Sequence, residues 1–248
     1  MEGIKEMFEQ RTSVRRYERE NISEEAIDTV YAAIRNTPTS YNGQQFSVID
    51  VTDQDVKEKL YELTGQKQIK TCNHFMVFCV DYNKIKELAD AKGLDVPDFT
   101  DTLDGIMVGI IDASLAMGSA LIAAQSFGLG TCCIGYTRTA APREIADLLE
   151  LPKRTFVICG LAIGVPREHP DVKPKQPQEV VIHQNHYQKD GLVDYMKEYD
   201  KMIAGYNQSR SGDKTNNDWC DHILDYYREA MNYRMHDYIV SQGFGILK

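Results

Sequence analysis

The longest apolar stretch of the chain, from Gly105 to Phe127, most constrains how the sequence can fold. It is long enough to cross a membrane. Polar residues interrupt it at four positions, namely Asp112, Ser114, Ser119 and Gln125. No other segment approaches it in length and hydrophobicity, so we interpret it as the buried core helix of a soluble protein and expect no association with a membrane.

Small residues recur along this helix at intervals of three or four positions, at Gly105, Gly109, Ala113, Ala116, Ala120 and Ala124. Small side chains on one stripe allow another backbone to approach closely. A helix that is apolar all round also needs cover on every side. One domain of this size could supply that cover, but a second copy of the chain is the more economical source.

The composition is that of an ordinary soluble globular protein. The chain has 248 residues, of which 42% are hydrophobic and 26% are charged, and a chain of this length can bury a substantial core. Its net charge of -9 argues against nucleic acid as a partner. The six cysteines form no CxxC pair and the N-terminus has no apolar signal region, so we expect reduced thiols and a cytoplasmic protein.

Periodicity and capping residues predict helices and strands that alternate along the chain. Helices are expected over 1–10, 24–35, 53–64, 82–92, 105–127 and 143–149, and strands over 46–51, 74–80 and 156–165. Residues 131–136 are expected to form a short strand or an extended loop. Residues 93–104 are acidic and are expected to form a mobile loop, whereas residues 167–180 are rich in proline and lysine and have no periodicity. Two tyrosine-rich helical stretches are expected within 188–248, separated by the polar loop 209–217. Strands scattered among helices fit one α+β domain with a C-terminal extension.

Two short polar loops contain the strongest chemical signal. The segment Arg11–Tyr17 carries three arginines, and Pro38–Phe46 adds hydroxyl and amide donors. Cations and hydroxyls with little carboxylate nearby suit a bound phosphate, and an anionic protein must concentrate its cations locally to bind one. The alternatives are a solvated basic turn and ordinary turn chemistry, since serine, asparagine and glycine favour turns.

Five motifs then occur in a fixed order: Arg11–Tyr17, Pro38–Gln44, Gly65–Lys67, Gly128–Gly135 and Gly160–Pro166. Together they resemble the FMN-dependent nitroreductase superfamily, and the match spans essentially the whole chain. The C-terminal part, with its motifs at 171–175 and 218–223, resembles the branch of flavin reductase P and the major oxygen-insensitive NADPH nitroreductase.

The resemblance implies a nitroreductase-like α+β fold, in which helices flank a central mixed, mostly antiparallel sheet. It also implies an intertwined homodimer with one FMN at each of two interface sites. Residues 1–248 would form a single domain, whose extension 167–248 wraps the partner subunit.

The implied activity is two-electron, ping-pong reduction of small-molecule acceptors by NADPH or NADH, the acceptors being nitroaromatics, quinones or free flavins. A dedicated flavin reductase, a reductive dehalogenase-like activity, a non-catalytic protein that stores FMN or senses redox state, and a helical interaction protein without a cofactor are the alternatives.

The resemblance assigns FMN contacts to the first loop. Arg11 and Ser13 would hold the phosphate, while Arg15 would lie toward the ribityl chain and the pyrimidine edge of the ring. Thr12 stands where relatives often have an arginine.

Further contacts are implied for three other segments. The loop that would line the flavin from the other subunit contains Thr39, Ser40, Tyr41, Asn42 and Gln44. A flavin-contacting glutamine corresponds to Gln66, although one residue is missing beside it relative to some relatives. The strand edge that would pass the isoalloxazine ring comprises Cys133, Ile134, Gly135 and Tyr136, where glycine would allow a close approach.

Cations near the C-terminus complete the implied site. Lys173 and Lys175 would add positive charge at the FMN phosphate, or belong to a solvated linker. Arg210 would bind the 2′-phosphate of NADPH, or lie in a solvated loop.

The residues themselves offer no strong catalytic side chain, so the chemistry would belong to the cofactor. Cys133 is interpreted as an inert packed thiol because no general-base histidine accompanies it in the sequence. His183 and His186 have no third ligand at a usable spacing, so no metal site is expected.

Overall fold

The computed structural model describes residues 2–245. They form two compact units, a smaller one with the chain up to Thr12 and His169–Tyr233, and a larger one with Ser13–Glu168 and the chain from Arg234 onward. Met1 and residues 246–248, which end the predicted domain and its extension, lie outside the described residues.

Helices and strands alternate along the chain as the hydrophobic pattern predicts. In chain order they are α1 (Glu2–Glu9), α2 (Glu24–Arg35), β1 (Phe46–Val51), α3 (Gln54–Thr64), α4 (Gln68–Thr71), β2 (His74–Asp81), α5 (Asn83–Ala91), α6 (Leu103–Ser126), β3 (Gly130–Ile134), α7 (Tyr136–Thr139), α8 (Pro142–Leu148), β4 (Thr155–Gly164), α9 (Gln178–Val181), α10 (Leu192–Ser209), α11 (Trp219–Ala230) and α12 (Met235–Ser241). Short 3₁₀ turns occur at Ser40–Asn42 and Phe99–Asp101.

The larger unit is built on one four-stranded sheet with the strand order β1-β2-β4-β3. All three ladders are antiparallel, with Val48 opposite Phe78 and Ile134 opposite Gly160. The two central strands are buried along nearly their whole length, as expected for strands covered on both faces. The α+β class with a mostly antiparallel sheet is therefore confirmed.

Local signals in the sequence explain several element boundaries. The hydroxyl of Ser23 accepts a hydrogen bond from Ala26 N at the start of α2, and Asp53 caps α3 in the same way. Gly65 ends α3 and Gly128 follows α6, both with positive φ, a conformation that glycine adopts without strain. Gly65 thereby sets the start of the loop that carries the candidate site residue Gln66.

The small-residue stripe of α6 is covered by the chain's own sheet. A Cβ atom on Gly109 would lie 2.5 Å from Val80 Cγ1, and Ala113, Ala116 and Ala120 are fully buried. The chain itself therefore covers this side of the helix, because β2 and the neighbouring α2 pack against it.

The opposite face of α6 exposes six large apolar side chains: Leu103, Met107, Ile110, Ile111, Leu115 and Ile122. By length and composition alone, this helix is the one among the described residues that could cross a membrane. Its buried Asp112 accepts hydrogen bonds from the backbone of the 40–45 loop, which identifies α6 as a helix packed against protein.

The C-terminal region departs from the sequence-based prediction. Three helices, α10 to α12, occupy the stretch where two were expected. The break at residues 231–234 contains neither glycine nor proline, the residues that usually mark a helix end. The one-turn helices α4, α7 and α9 were also not predicted, and Tyr136 belongs to α7 rather than to the preceding strand.

Candidate functional site

The Ser13–Arg15 loop runs beside β3. Val14 N donates a hydrogen bond to Thr131 O at 3.0 Å. A Cβ atom on Gly130 would lie 2.8 Å from the Val14 Cβ atom, so glycine is needed there for the loop to pack this closely. The loop and strand that were both predicted to contact the flavin are therefore neighbours in the larger unit.

A carboxylate anchors the backbone of this loop. Glu168 Oε1 accepts a hydrogen bond from Arg15 N at 2.7 Å, and Glu168 Oε2 lies 3.6 Å from Arg16 Nε. The expectation of little carboxylate nearby is wrong in this respect, because Glu168 is distant in sequence. The guanidinium of Arg15 contacts Ser13 O at 3.2 Å and its side chain is otherwise exposed, so it remains available to a ligand.

The loop between α2 and β1 has an unusual backbone. Tyr41, Asn42 and Gln44 have φ values of 50°, 53° and 51°, which lie in the left-handed region that non-glycine residues seldom adopt. Each such residue costs about 1–2 kcal/mol. The Tyr41 ring is fully exposed. Strain of this kind persists where the surroundings fix the conformation, and it is concentrated at functional sites.

Asp112 of α6 fixes that loop. Its side chain is 1% exposed, and its two carboxylate oxygens accept hydrogen bonds from Ser40 N at 3.0 Å and Gln45 N at 3.2 Å. Sequence reasoning treated this residue only as an interruption of an apolar helix. The missed signal is that a carboxylate in such a helix needs hydrogen-bond donors, and two loop amides supply them.

Gln66 follows the glycine that ends α3. Its Oε1 atom accepts a hydrogen bond from Gln68 Nε2 at 2.9 Å, and its backbone N–H donates to Thr64 Oγ1. With the oxygen engaged, the amide nitrogen of Gln66 is the end that can donate to a ligand.

Position 135, directly after β3, does not need a glycine for its backbone conformation or for packing within the chain. Its φ of -69° suits any residue, and an added Cβ would meet nothing closer than Arg138 Nη2 at 3.8 Å. At Gly160, by contrast, the same atom would lie 2.2 Å from Phe75 Cζ. A half-buried glycine with open space beside it leaves room for a flat ring to lie against the backbone. We call this open space beside Gly135 the cradle.

The thiols around β3 and β4 are in different environments. Cys133 is exposed, so the expectation of a packed thiol there is wrong, whereas Cys159 is buried. A side-chain hydrogen bond from Cys133 lowers the pKa of the Cys159 thiol below its ordinary value. Burial raises the pKa of Cys72 and Cys79 to about 12. Those two thiols therefore stay protonated and pack as small apolar groups.

The smaller unit joins the lysine-bearing segment to the loop of Arg210. The Asp171 carboxylate accepts a hydrogen bond from Ser211 N at 2.7 Å, which lowers the pKa of Asp171. The hydroxyls of Tyr206 and Tyr199 donate to Asp171 O and Pro174 O. These bonds hold the backbone on both sides of Lys173. Lys173 and Lys175 are both exposed.

Arg11 and Thr12 also belong to the smaller unit, where both are partly buried. Arg11 N donates to Phe8 O at the end of α1. Arg210 ends α10, and its Nε donates to Asp213 O, which leaves the terminal nitrogens of the guanidinium for other acceptors.

The donor set fits FMN, the cofactor that the resemblance implies. Cationic side chains suit its phosphate, amide and hydroxyl groups suit its ribityl chain and ring edge, and Gly135 provides the open backbone that a ring needs. Among residues 2–245 there is no group of three or more His, Cys, Asp and Glu side chains that could hold a metal ion.

Comparison with known proteins shows the family of the chain. The sequence model of the nitroreductase family matches residues 8–165, and that of the nitroreductase family C-terminal domain matches residues 173–246. The chain belongs to the nitroreductase family.

Individual relatives match over most or all of their length. An FMN reductase from Bacillus subtilis, described as using NAD(P)H, is 37% identical over 100% of this chain and 99% of its own. An oxygen-insensitive NADPH nitroreductase from Salmonella typhimurium is 33% identical over 85% of both chains. The solved structure of an NADPH:FMN oxidoreductase from Vibrio harveyi, complexed with NAD+, is 27% identical over 99% of both chains, with a TM-score of 0.85.

Replacing Gly135 by alanine tests the cradle. We expect the free energy of unfolding of the FMN-free protein to change by less than about 0.5 kcal/mol, because the new methyl group meets nothing. FMN should bind about tenfold more weakly, equivalent to about 1.4 kcal/mol. Urea denaturation and FMN titration measure the two effects.

Gly160→Ala is the contrasting variant and should lose about 1–3 kcal/mol of stability by overpacking. If Gly135→Ala bound FMN as tightly as the parent does, the cradle would not be part of the flavin site.

Proposed function

We propose that this protein is an FMN-dependent NAD(P)H oxidoreductase that reduces nitroaromatics, quinones or free flavins by two electrons in a ping-pong reaction. The observation that carries the proposal is the match to the Bacillus subtilis FMN reductase over the whole of both chains. The cationic loops and the open backbone at Gly135 support it.

The phosphate of FMN is assigned to Arg11, Thr12 and Ser13 together with Lys173 and Lys175. Guanidinium and ammonium groups supply charge, and the hydroxyls supply neutral donors. The assignment rests on the family resemblance and on the exposure of both lysine side chains.

The ring and ribityl chain are assigned to the larger unit. Arg15 would donate to the pyrimidine edge, the amide of Gln66 would donate to the cofactor, and Cys133–Tyr136 would pass along the ring. The loop with Thr39, Ser40, Tyr41, Asn42 and Gln44 would complete the site from a second copy of the chain.

Bound FMN supplies hydride acceptance from NAD(P)H and two-electron donation to the acceptor. The chain's own residues bind and orient. The positive charge of Arg15 would stabilise negative charge at the edge of a bound flavin ring. Asp112 holds the 40–45 loop through hydrogen bonds from Ser40 N and Gln45 N. No side chain is assigned a catalytic proton transfer.

Steady-state kinetics test the reaction class. With NADPH and a nitroaromatic varied together, a ping-pong reaction gives parallel double-reciprocal lines, because the two substrates bind at the same site one after the other. Intersecting lines would overturn the ping-pong proposal.

The choice of acceptor separates the proposed enzyme from its alternatives. Similar kcat/KM values for nitroaromatics, quinones and free FMN support a broad reductase, whereas activity with free flavin alone identifies a dedicated flavin reductase. Binding of FMN without NAD(P)H oxidation would identify a storage or sensing protein.

A homodimer is part of the proposal. The exposed apolar face of α6 needs a partner, since large apolar patches on soluble proteins mark interaction sites. The fully exposed ring of Tyr41 is a second candidate contact. Residues 167–248 would wrap the partner subunit within a single 1–248 domain.

The reduced cysteines and acidic composition suit a cytoplasmic enzyme.

A charge on this face should break the dimer. Leu115 is 46% exposed, and Leu115→Glu should give half the parent's mass in sedimentation equilibrium, because burying an unpaired carboxylate in an apolar interface is costly. Leu88→Glu, which alters an exposed leucine of α5, is the control and should keep the parent's mass. A dimeric Leu115→Glu variant would place the interface elsewhere.

The Arg210 assignment predicts a preference between nicotinamide cofactors. Arg210→Ala should raise KM for NADPH about tenfold and leave KM for NADH nearly unchanged, since only NADPH carries a 2′-phosphate for the guanidinium to bind. Lys214→Ala, on the same exposed loop, is the control. Equal changes in both KM values would remove Arg210 from NADPH binding.

A further inference from the structure

A polar cavity of about 900 Å³ in the larger unit is not accounted for by the proposed flavin site. It is bounded by the chain after Tyr17, by α3 and by the residues that precede β2. Four of its lining side chains are cationic and one is acidic: Arg19, Lys57, Lys70, Arg167 and Glu18. None of its lining residues is among those assigned to FMN or NADPH. Such a local excess of positive charge contrasts with the chain's net charge of -9.

Lys57 is the unusual member of this group. The residue is 5% exposed, and its ammonium donates to Cys72 O at 3.0 Å and Asn73 O at 3.4 Å. Both of those residues also line the cavity. An ammonium has three protons to donate, so one remains after these bonds. The two carbonyls solvate the charge without neutralising it, and within residues 2–245 no carboxylate forms an ion pair with Lys57.

The other cations differ in how far they are neutralised. Lys70 Nζ lies 3.1 Å from Glu58 Oε1, and Arg167 Nε lies 4.0 Å from Glu18 Oε1. In the described part of the chain, Arg19 forms no ion pair. A buried charge normally has a partner of opposite sign, and the position of Lys57 leaves room for one that enters the cavity. Arg19 adds an exposed charge to the lining of the same cavity.

We propose that this cavity binds a small organic anion whose phosphate or carboxylate group pairs with Lys57. Its volume is in the range of small-molecule pockets and exceeds what a single inorganic ion fills. Arg19 and Arg167, both exposed, extend the positive surface toward solvent and would attract the anion.

Isothermal titration calorimetry at constant ionic strength tests the site, on protein saturated with FMN so that the flavin phosphate position is filled. Pyrophosphate and citrate are the two probes. Saturable binding of pyrophosphate alone assigns a phosphate ligand, and saturable binding of citrate alone assigns a carboxylate ligand. Each of these two outcomes supports the proposal.

Lys57→Met should reduce the affinity of the bound probe at least tenfold. The matched control is Lys59→Met, which removes an exposed lysine from the same helix and should retain the parent's affinity. Without a probe, Lys57→Met should unfold within a few degrees of the parent, because the removal of a buried charge offsets the loss of its hydrogen bonds to Cys72 O and Asn73 O.

Absence of binding by both probes would overturn the proposal. So would equal affinity in Lys57→Met and the parent, or equal losses in the Lys57 and Lys59 variants, which would indicate general electrostatic attraction. If Lys57→Met does not fold, Arg19→Glu on the exposed rim serves instead, and unchanged affinity there would also overturn the proposal. None of these measurements depends on turnover, so a failure here leaves the proposed oxidoreductase function standing.

Discussion

Asp112→Ala is expected to lower the free energy of unfolding by about 2–4 kcal/mol. The variant loses two hydrogen bonds to a charged acceptor, and this loss is reduced in part because a buried charge is removed as well. The carboxylate accepts hydrogen bonds from Ser40 N and Gln45 N, and the alanine methyl group cannot replace either bond. Urea denaturation measures the loss. Hydrogen exchange at these two amides should also accelerate, because the strained loop they anchor is no longer held.

Two further variants separate this role from a general effect on the helix. Asp112→Asn keeps one acceptor oxygen and places an NH₂ group against the second amide, so it should be destabilised as well. Ser114→Ala changes an exposed position on the same helix and should stay within about 0.5 kcal/mol of the parent. If Asp112→Ala were as stable as Ser114→Ala, Asp112 would not be what holds the 40–45 loop.

Arg11→Ala combined with Lys173→Ala is expected to weaken FMN binding about a hundredfold, or about 2.7 kcal/mol. Each cation is assigned a charge-assisted hydrogen bond to the phosphate, a bond worth about 1.5–3 kcal/mol. Titration of the FMN-free protein with FMN, followed by flavin fluorescence, gives the dissociation constant.

Riboflavin is the matched ligand for this experiment because it has the same ring and ribityl chain but no phosphate. The double variant should bind riboflavin as tightly as the parent does. A double replacement of exposed lysines in the smaller unit, Lys189→Ala with Lys197→Ala, controls for the change in net charge and should leave FMN binding unchanged. An equal loss of affinity for FMN and riboflavin would show that the two residues do not bind the phosphate.

The fold could be predicted where the signals are local. Near-continuous apolar runs identified β2 and β4, and caps such as Ser23 and Gly128 set the ends of helices. Strand order depends on long-range pairing, in which residues about eighty apart in sequence, such as Val77 and Gly160, lie opposite each other. The break between α11 and α12 has no glycine or proline to mark it, so periodicity alone merged two helices into one.

The candidate site could be predicted only in part for the same reason. Cation-rich and glycine-containing loops are visible in the sequence, and the resemblance assigned them to a cofactor. Contacts between distant segments are not visible there. Glu168 reaches the backbone of Arg15 and Asp112 reaches that of Ser40. Likewise, only the structure distinguishes Gly135, which nothing in the chain crowds, from Gly160, which packs against Phe75.

Anaerobic titration of the purified protein with NADPH, followed by its visible absorbance, distinguishes a working flavoenzyme from a protein without this activity. We expect a yellow protein whose flavin absorbance bleaches with one NADPH per bound FMN and returns when a nitroaromatic, a quinone or free flavin is added. A colourless protein that gains no flavin absorbance on reconstitution with FMN, or a yellow one that NADPH and NADH both fail to bleach, would contradict this expectation.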